Sequence, residues 1–399
     1  MRRGAFAACL LLASAWTQAE TDESGMVHFT DVERVVAVGD LHGDYEQYLG
    51  VLASAGLVNA RGKWTGGSTH LVQTGDITDR GPGSRAIIDH LEDLKKQAER
   101  KGGRVHTLIG NHEAMNSYGD LRYVHPGEFT AFRGRNSEQY REKQWEFHLQ
   151  QLKQHKPEQF LIMDLDQYRL EWEEKIPLGW VEHRLAWAPE GAYGQWLLSN
   201  PVAIKINDTL FVHGGLAPDY CHLSLEEITA QAHAQLQDYR HGQTGILNDE
   251  NGPVWYRGLA TEDETAFRAT LDQILARYGA SRVVVGHTPT GGVVWPRFGG
   301  RVVVNDTGIA AYYGGHGAYL ELSGGTATAG YGEHTLALPE TAEDRTDYLR
   351  QVIELNPDNQ ELRKRLARLL AAEPTAPETD KEMPDAESEP AALNPCICR

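Results

Sequence analysis

Short runs of β-branched and apolar residues in this chain end repeatedly at a glycine that is followed by a polar side chain. The first three runs cover residues 33–38, 69–73 and 104–109. They are followed by Gly39-Asp40, Gly75-Asp76 and Gly110-Asn111, respectively. Helical stretches, Tyr45 to Ala55 and Arg85 to Arg100, separate them. Strands that alternate with helices predict a layered α/β domain. Sheets of this kind carry active sites beyond the C-terminal ends of their strands.

The same pattern returns in the second half of the chain. Residues 203–212 end at His213-Gly214-Gly215, and residues 282–285 end at Gly286-His287. Residues 301–304 and 318–322 complete the predicted sheet, with glycine-rich turns up to Gly330. We therefore predict one α/β domain over residues 30–335.

Residues 115–200 interrupt the alternation of strands and helices, because they are rich in Trp, Glu, Gln and Arg and carry little strand pattern. We interpret them as a helical insertion, which could either cover the site as a lid or support the domain from outside. Residues 340–372 contain two amphipathic stretches separated by Asn356-Pro357-Asp358, which predicts a docked helical hairpin. Residues 373–399 form an acidic tail that is too polar to fold, so we expect disorder there.

The N-terminus has the three parts of a secretory signal peptide. Arg2 and Arg3 precede an apolar run over residues 5–16, and Thr17-Gln18-Ala19 supplies a cleavage site. The run is too short to span a bilayer, and no later segment is long and apolar enough. We expect residues 1–19 to be removed and the protein to be periplasmic or secreted, without a transmembrane segment.

The four cysteines do not suggest a disulfide framework. Cys9 lies in the leader, Cys221 stands alone in the body, and Cys396 and Cys398 lie at the extreme end. We therefore expect the fold to rest on its hydrophobic core. A redox or metal clip formed by Cys396 and Cys398 is an alternative that the short motif does not decide.

The formal net charge of −18 argues against nucleic acid or an anionic membrane as the main partner. A phosphorylated substrate remains compatible with it, because bound divalent cations reverse the local field.

The strand ends deliver a mixture of imidazole, carboxylate and amide groups. These are Asp40 and His42; Asp76, Asp79 and Arg80; Asn111, His112 and Glu113; His213; and His287. Each motif alone is explained by an ordinary turn or cap. Five of them, all at strand ends, indicate a site for first-row divalent metals such as Mn, Fe or Zn.

The whole series resembles that of the calcineurin-like metallophosphoesterases. Its members here are Gly-Asp-x-His (39–42), Gly-Asp-x-x-Asp-Arg-Gly (75–81), Gly-Asn-His-Glu (110–113), His-Gly-Gly (213–215) and Gly-His-Thr (286–288). The Asp-Arg-Gly ending and Glu113 look like the phosphoprotein phosphatase branch. The leader, Val-Trp-Tyr-Arg-Gly at 254–258 and Asn-Asp-Thr-Gly at 305–308 are most similar to the bacterial Shewanella-like phosphatases. The resemblance covers residues 32–322 and implies two β-sheets sandwiched between helices.

The resemblance also implies roles for individual residues. Asp40, His42 and Asp76 would hold a first metal, and Asp76 would bridge to a second metal that Asn111, His213 and His287 complete. His112 would act as the general acid with Asp79 as its orienting partner, and Arg80 and Asn111 would bind the substrate phosphate. Arg257 is our candidate for a second phosphate clamp, since arginine suits bidentate contacts with phosphate oxygens. We expect Glu113 to orient the site without binding metal, and His183, His222 and His316 to be ordinary polar residues.

The predicted function is metal-dependent hydrolysis of phosphate monoesters by a hydroxide that two divalent metals activate. The resemblance implies phosphoprotein substrates, with phosphotyrosine as a candidate, although a small phosphomonoester would meet the same groups. Two alternatives stay open at this point. One is a nucleotide phosphodiesterase or pyrophosphatase. The other is a catalytically dead scaffold that binds partners through the C-terminal hairpin and tail, against which the intact ligand set and His112 speak.

Overall fold

The computed structural model describes residues 27–239, 244–372 and 398. The predicted signal peptide and nearly all of the predicted acidic tail lie outside these residues. The described strands are β1 (His28–Phe29), β2 (Arg34–Val38), β3 (His70–Gln73), β4 (Arg104–Thr107), β5 (Ala203–Ile206), β6 (Thr209–Val212), β7 (Arg282–Val285), β8 (Trp295–Arg297), β9 (Val302–Val304), β10 (Tyr319–Ser323), β11 (Thr326–Tyr331) and β12 (His334–Ala337).

The described helices lie between and after these strands. They are α1 (Tyr45–Ser54), α2 (Ser84–Glu99), α3 (Asn111–Tyr118), α4 (Pro126–Ala131), α5 (Ser137–His155), α6 (Pro157–Leu161), α7 (Leu165–Lys175), α8 (Trp180–Trp187), α9 (Ala192–Leu197), α10 (Leu225–Gln237), α11 (Gly258–Thr261), α12 (Arg268–Tyr278), α13 (Ala342–Leu355) and α14 (Gln360–Ala372), with a 3₁₀ turn at Ala311–Tyr313. Within the described part of the chain, no helix combines the length and the apolar character that a membrane crossing requires.

The strands form two sheets of six strands each. The first sheet has the order β12-β11-β10-β2-β3-β4, and the second has the order β1-β5-β6-β7-β9-β8. Strands β2, β3 and β4 are parallel, as are β6, β7 and β9. Parallel neighbours end at the same edge of a sheet, so the residues that follow these strands are brought together. The α/β class and the two-sheet architecture flanked by helices are therefore confirmed.

Apolar runs in the central strands account for the core. The valines of β7 and β9 are buried, as parallel strands covered on both faces require. Helix α2 covers the first sheet with an apolar stripe at helical spacing, and its members Ile87, Leu91 and Leu94 are fully buried. The core thus holds the sheets in fixed positions beneath the loops that follow them.

The segment between α3 and β5 consists of helices α4 to α9. Its interior is aromatic: the rings of Trp145 and Trp172 lie 5.2 Å apart. His183 is buried between Phe129 and Phe132, and burial lowers its pKa to about 3. The segment is tied to the sandwich at the C-terminal end of α3, where Arg184 donates to the carbonyls of two residues of that helix. The helices therefore pack directly behind the helix that begins with Asn111.

Residues 203–212, which the sequence predicts as one strand, form two. β5 and β6 pair antiparallel, and the turn between them places Asn207 at a left-handed φ of 53°. Asn tolerates this conformation better than other non-glycine residues, so Asn207-Asp208 reverses the chain inside an apolar run. The prediction of one long strand over residues 203–212 was therefore wrong. The short strands β1, β8, β11 and β12 are further elements that the sequence pattern did not indicate.

Cys221 is not alone. It is fully buried and forms a disulfide with Cys398, with the two Cα atoms 5.3 Å apart. The expectation that Cys221 has no partner was wrong, because 177 residues separate the two cysteines and no local signal marks the pairing.

The two C-terminal helices, α13 and α14, pack against each other and against the loop that follows β7. The hydroxyl of Tyr348 on α13 donates to the carbonyl of Val294 at 2.8 Å, and Leu349 is buried beside it. Asn359 and Arg365 donate to the carbonyls of Gly291 and Thr290. The helical pair therefore supports the chain only a few residues beyond His287.

Candidate active site

One small polar cavity of about 150 Å³ lies where strands of both sheets end. Its walls are Asp40, His42, Asp76, Arg80, Asn111, His112, Tyr123, Trp255, Arg257, His287, Pro289, Asp306 and Tyr313. His213 follows β6 and lies fully buried beneath this cavity, in contact with Asp76 and Asn111. Of the residues that the sequence predicts for the site, Asp79 is the one other that does not line the cavity, and it lies behind His112.

Several residues at this edge hold left-handed backbone conformations. Their φ angles are 43° at His42, 55° at Asp76, 73° at Asp79, 65° at Arg80 and 64° at His287. Such conformations cost a non-glycine residue about 1–3 kcal/mol each, so the surrounding structure must fix them. Part of that support comes from the amides of Leu41 and His42, which both donate to the carbonyl of Asp76, at 2.9 and 3.0 Å. The tight turns point the side chains inward from the ends of the strands.

Asp40, His42 and Asp76 come from two neighbouring strands of the first sheet. The Nδ1 atom of His42 lies 3.0 Å from the carbonyl of Thr78, which leaves Nε2 facing Asp76, 3.9 Å from its Oδ2. The carboxylate of Asp40 instead accepts hydrogen bonds from the backbone N–H of His287, at 3.0 and 3.2 Å. His42 and Asp76 also lie close to His112, so three donor groups converge on one side of the cavity.

The second group joins the two sheets. The Nε2 atom of His213 lies 3.2 Å from Oδ2 of Asp76, 3.0 Å from Oδ1 of Asn111 and 3.2 Å from Nδ1 of His287. The other ring nitrogen of His213 lies 2.9 Å from the carbonyl of Thr74, which fixes the orientation of the ring. Donor atoms of Asp76, Asn111 and His287 therefore all lie within 3.2 Å of Nε2 of His213, which makes a group of four.

These residues fit divalent metal ions. The Nε2 atom of His287 is buried and has no hydrogen-bond partner among the described residues, which is costly unless another group binds it. Burial lowers the pKa of His42 to about 3 and, together with His213, lowers that of His287 well below its usual value. Both rings are thus neutral, which is the form that binds metal. Burial also raises the pKa of Asp40, with further contributions from Asp306 and Asp76, and a bound cation would relieve that repulsion.

His112 is held by the carboxylate of Asp79, which does not line the cavity itself. Its Nδ1 lies 2.5 Å from Oδ2 of Asp79, and its Nε2 lies 3.8 Å from Oδ2 of Asp76. Asn116, one turn further along α3, donates to Asp79 at 2.8 Å and to the carbonyl of His112 at 3.0 Å. Burial alone would lower the pKa of His112, but Asp76 and the hydrogen-bonded Asp79 outweigh it and raise that pKa. The ring is therefore oriented, and the two carboxylates favour its protonated form.

Glu113 binds the loop that follows β3 from below. Its two oxygens accept hydrogen bonds from the backbone N–H groups of Asp76, Ile77, Thr78 and Gly110, at 2.8 to 3.0 Å, and from the Thr78 hydroxyl at 3.1 Å. Gly110 allows this close approach, since a Cβ there would lie 2.3 Å from the backbone N of Asp76. Glu113 thus positions Asp76 and does not reach the cavity, as the sequence predicts.

Two arginines line the cavity. The guanidinium of Arg80 lies over the ring of Tyr123, 4.0 Å from its centroid, and 4.8 Å from the ring centroid of Tyr312. Arg257 donates from Nη1 to the carbonyl of His287 at 2.5 Å and to the Thr288 hydroxyl at 3.1 Å. Both predicted phosphate-binding arginines therefore face the donor groups that could hold metal.

Sequence reasoning gave no role to Asp306, which lies at the cavity after the end of β9. It is buried, and burial with the nearby Asp76 raises its pKa to about 6. Its signal was present, because Asn305-Asp306 follows an apolar strand just as the other motifs do. The cavity residues Tyr123, Trp255 and Tyr313 were also missed, and they come from loops that carry no periodic pattern.

Comparison with known proteins gives consistent matches over most of this region. Residues 33–291 match the family model described as calcineurin-like phosphoesterase. An uncharacterized protein of Schizosaccharomyces pombe is 35% identical, over 72% of this chain and 77% of its own length. Shewanella-like protein phosphatase 2 of Arabidopsis thaliana is 32% identical, over 65% of this chain and 67% of its own.

A solved structure is similar as well. The cold-active protein-tyrosine phosphatase of a psychrophilic Shewanella species superimposes with a TM-score of 0.60 at 28% identity. The match covers 80% of this chain and 85% of that one.

Proposed function

This chain belongs to the calcineurin-like phosphoesterase family and is a metallophosphatase, and on that premise we propose that it hydrolyses phosphate monoesters of proteins, phosphotyrosine among them. The observation that carries the proposal is the cavity itself. It has about 150 Å³ of space, and its walls combine buried imidazole and carboxylate donors with Arg80 and Arg257. A small phosphoryl group suits this space and this charge pattern.

The residues that would hold the metals follow from the two groups of donors. His42 and Asp76, with Asp40 beside them, would hold one cation, and Asp76, Asn111, His213 and His287 would hold the other. We propose Mn, Fe or Zn, because imidazole and carboxylate oxygen ligands suit these ions. When bound, such ions polarise the phosphoryl group and lower the pKa of water.

His112 would supply the proton that the leaving oxygen needs. Asp79 accepts from Nδ1, so Nε2 is the nitrogen that faces the cavity and can donate. Asp76 and Asp79 favour the charged imidazolium despite its burial, which keeps the proton available near neutral pH. Asp79 and Asn116 together prevent the ring from turning away.

Arg80 and Arg257 would bind the phosphoryl oxygens. Stacking on Tyr123 leaves the edge of the Arg80 guanidinium as its hydrogen-bonding surface, which is the edge that pairs with two phosphate oxygens. The contacts of Arg257 with the His287 carbonyl and the Thr288 hydroxyl fix its position in the wall of the cavity beside His287. A phosphate monoester has the oxygens to engage both arginines, whereas a diester has one fewer free oxygen.

We also propose that the protein acts in the periplasm or outside the cell. The support is the Cys221–Cys398 disulfide, because structural disulfides persist in oxidising compartments. The predicted leader agrees with this location. Fractionation of cells that produce the full chain would test it, and recovery of all activity in the cytosolic fraction would contradict it.

The function is tested by hydrolysis of para-nitrophenyl phosphate and of the bis-ester analogue, with metal-free protein and with added Mn²⁺ or Zn²⁺. Asp76→Asn should abolish metal-dependent monoester cleavage, whereas Asp93→Asn on the exposed face of α2 should leave it unchanged. Circular dichroism would establish that both variants are folded. Turnover of the bis-ester alone would favour the phosphodiesterase alternative. No turnover of either ester by folded, metal-loaded protein would refute the phosphatase assignment and favour a scaffold.

A further inference from the structure

A second cleft, of about 390 Å³, opens beside the active-site cavity and shares His42 and Arg80 with it. Its remaining side chains include Tyr45, Pro82 and Tyr312. We call it the Tyr312 cleft. The proposed reaction assigns no role to this cleft, although His42 and Arg80 at its border also line the active-site cavity.

Away from that border, the Tyr312 cleft has few polar side-chain groups that are available to bind a ligand. Among the described residues of its lining, Asp44 contributes the one further acidic or basic side chain, and both of its oxygens already accept hydrogen bonds. Oδ1 accepts from the N–H of Gln47 at 3.1 Å, and Oδ2 accepts from the N–H of Ala311 at 2.9 Å. The remaining surface is apolar or aromatic, and Tyr312 exposes 62% of its area. A ligand group that enters the cleft is therefore expected to be apolar.

The walls of the cleft are held in place. Gly43 and Gly81 approach so closely that a Cβ on Gly43 would lie 2.4 Å from the carbonyl oxygen of Gly81. The N–H of Gly83 donates to the carbonyl of Gly43 at 2.8 Å, and the Asp44–Ala311 hydrogen bond joins the opposite wall. The cleft is thus formed before substrate arrives, which lowers the entropy cost of binding.

The cleft also lies on the side of the site from which the proton would come. The ring of His42 meets that of His112 edge to face at 4.8 Å, and Arg80 stacks on Tyr123, whose ring lies 5.2 Å from that of His112. His42 and Arg80 form the border between the cavity and the cleft. A group attached to an oxygen that faces His112 is therefore next to the mouth of the cleft.

We propose that the Tyr312 cleft binds the leaving group and that Tyr312 makes the enzyme prefer aromatic over small aliphatic phosphate esters. This inference rests on the proposed phosphatase function. The ring centroid of Tyr312 lies 4.8 Å from the guanidinium carbon of Arg80 at the border, so an aryl leaving group is expected to gain an aromatic contact there that a short alkyl group lacks. Tyr312 is thus a specificity-determining residue, and its own ring is placed by Arg80, which donates to its hydroxyl at 3.3 Å.

A competing location adjoins the cavity at Trp255. There, a cleft of about 580 Å³ is lined by Tyr118, Tyr239 and Trp255, together with the ion-paired Asp120 and Arg122. The rings of Tyr118 and Tyr239 stack on each other with their centroids 4.6 Å apart, so each ring already has one face covered by the other. Of the residues that the structure describes, this cleft shares only Trp255 with the active-site cavity, which makes it the less direct continuation of the site.

The test compares kcat/KM for phenyl phosphate with kcat/KM for ethyl phosphate in each variant, relative to the same ratio in the unmodified enzyme. This ratio cancels both the intrinsic reactivity of the esters and any loss that acts through Arg80. Tyr312→Ala and Ala311→Trp, which respectively remove the aromatic wall and fill the cleft, should each lower the ratio about tenfold. Tyr312→Phe, which keeps the ring, and Tyr239→Ala, which alters the competing cleft, should change it less than about twofold.

Binding of phenylphosphonate and methylphosphonate to the Mn²⁺-loaded enzyme gives a second readout that does not require turnover. Tyr312→Ala should weaken the first ligand about tenfold relative to the second. An unchanged ratio in both Tyr312→Ala and Ala311→Trp, or a loss in Tyr239→Ala instead, would overturn the inference. Failure of the unmodified enzyme to cleave either ester would refute the phosphatase function, and the phosphonate affinities would still decide whether the cleft binds aryl groups.

Discussion

Glu113 provides the sharpest test of how the active site is supported. It is fully buried, and each of its oxygens serves a different part of the loop. Oε1 accepts from Ile77 and from the backbone and hydroxyl of Thr78, and Oε2 accepts from Asp76 and Gly110. Burial and Asp76 raise the pKa of Glu113, yet every one of these contacts needs an acceptor, so the ionised form is the one that the structure uses.

Glu113→Gln keeps the shape of the side chain but can accept at only one of the two positions. If the amide oxygen takes the place of Oε1, the N–H groups of Asp76 and Gly110 face an NH₂ group and lose their acceptor. A buried donor without a partner costs about 1–3 kcal/mol, so two of them should lower the free energy of unfolding by about 4 kcal/mol. The loop that carries Asp76 should also lose its position, and kcat/KM should fall with it.

The matched control is Glu128→Gln, which changes another buried carboxylate in the same way. Within the described part of the chain, Glu128 accepts a single backbone hydrogen bond, from Ser84 at 2.7 Å, and the Gln oxygen can replace that contact. Denaturant unfolding in EDTA measures the fold without metal, and para-nitrophenyl phosphate hydrolysis with Mn²⁺ measures the site. Glu128→Gln should not be destabilised. If Glu113→Gln were as stable as this control, the argument that Glu113 holds the loop would be wrong.

Three further predictions concern the proton donor, the disulfide and pH. His112→Asn should lower kcat about 10²–10⁴-fold with phenyl phosphate and less with para-nitrophenyl phosphate, whose leaving group needs less protonation; equal losses would contradict a general-acid role. Cys221→Ser should lower the free energy of unfolding by at most about 5 kcal/mol, from the chain entropy of a 177-residue loop, and dithiothreitol should destabilise the unmodified protein but not the variant. Burial raises the pKa of Glu128 to about 7, so the folded state binds more protons than the unfolded state between the usual Glu pKa and pH 7. Stability should therefore fall by about 3 kcal/mol as pH rises through that window, and Glu128→Gln should remove this part of the slope in unfolding titrations.

The sequence was informative where one physical rule recurs. Asp40, Asp76, Asn111, His213 and His287 could all be predicted because each follows a short apolar strand. Sheets with parallel neighbours bring such positions to one edge. Asp306 obeys the same rule, but it was given no role because the resemblance already supplied a complete ligand set.

Other features depend on contacts that no local pattern records. Tyr123 and Tyr312 approach Arg80 from opposite parts of the chain, and neither lies in a periodic segment. The pairing of Cys221 with Cys398 is equally invisible, since a cysteine count does not give connectivity. The division of residues 203–212 into two strands depended on Asn207, whose left-handed conformation overrides the apolar run around it.

The candidate metal ligands are widely spread along the chain. Asp40 contacts the backbone of His287 across 247 positions, and the remaining ligands lie between them. During synthesis, an emerging chain that has not yet reached His287 can present the ligands of the first sheet but cannot complete the group around Asp76. Capture of a full pair of cations must therefore wait until both sheets exist and have docked. The order of translation itself delays the assembly of an active phosphatase until the strands that follow His287, the last of which is β12 (His334–Ala337), have been made.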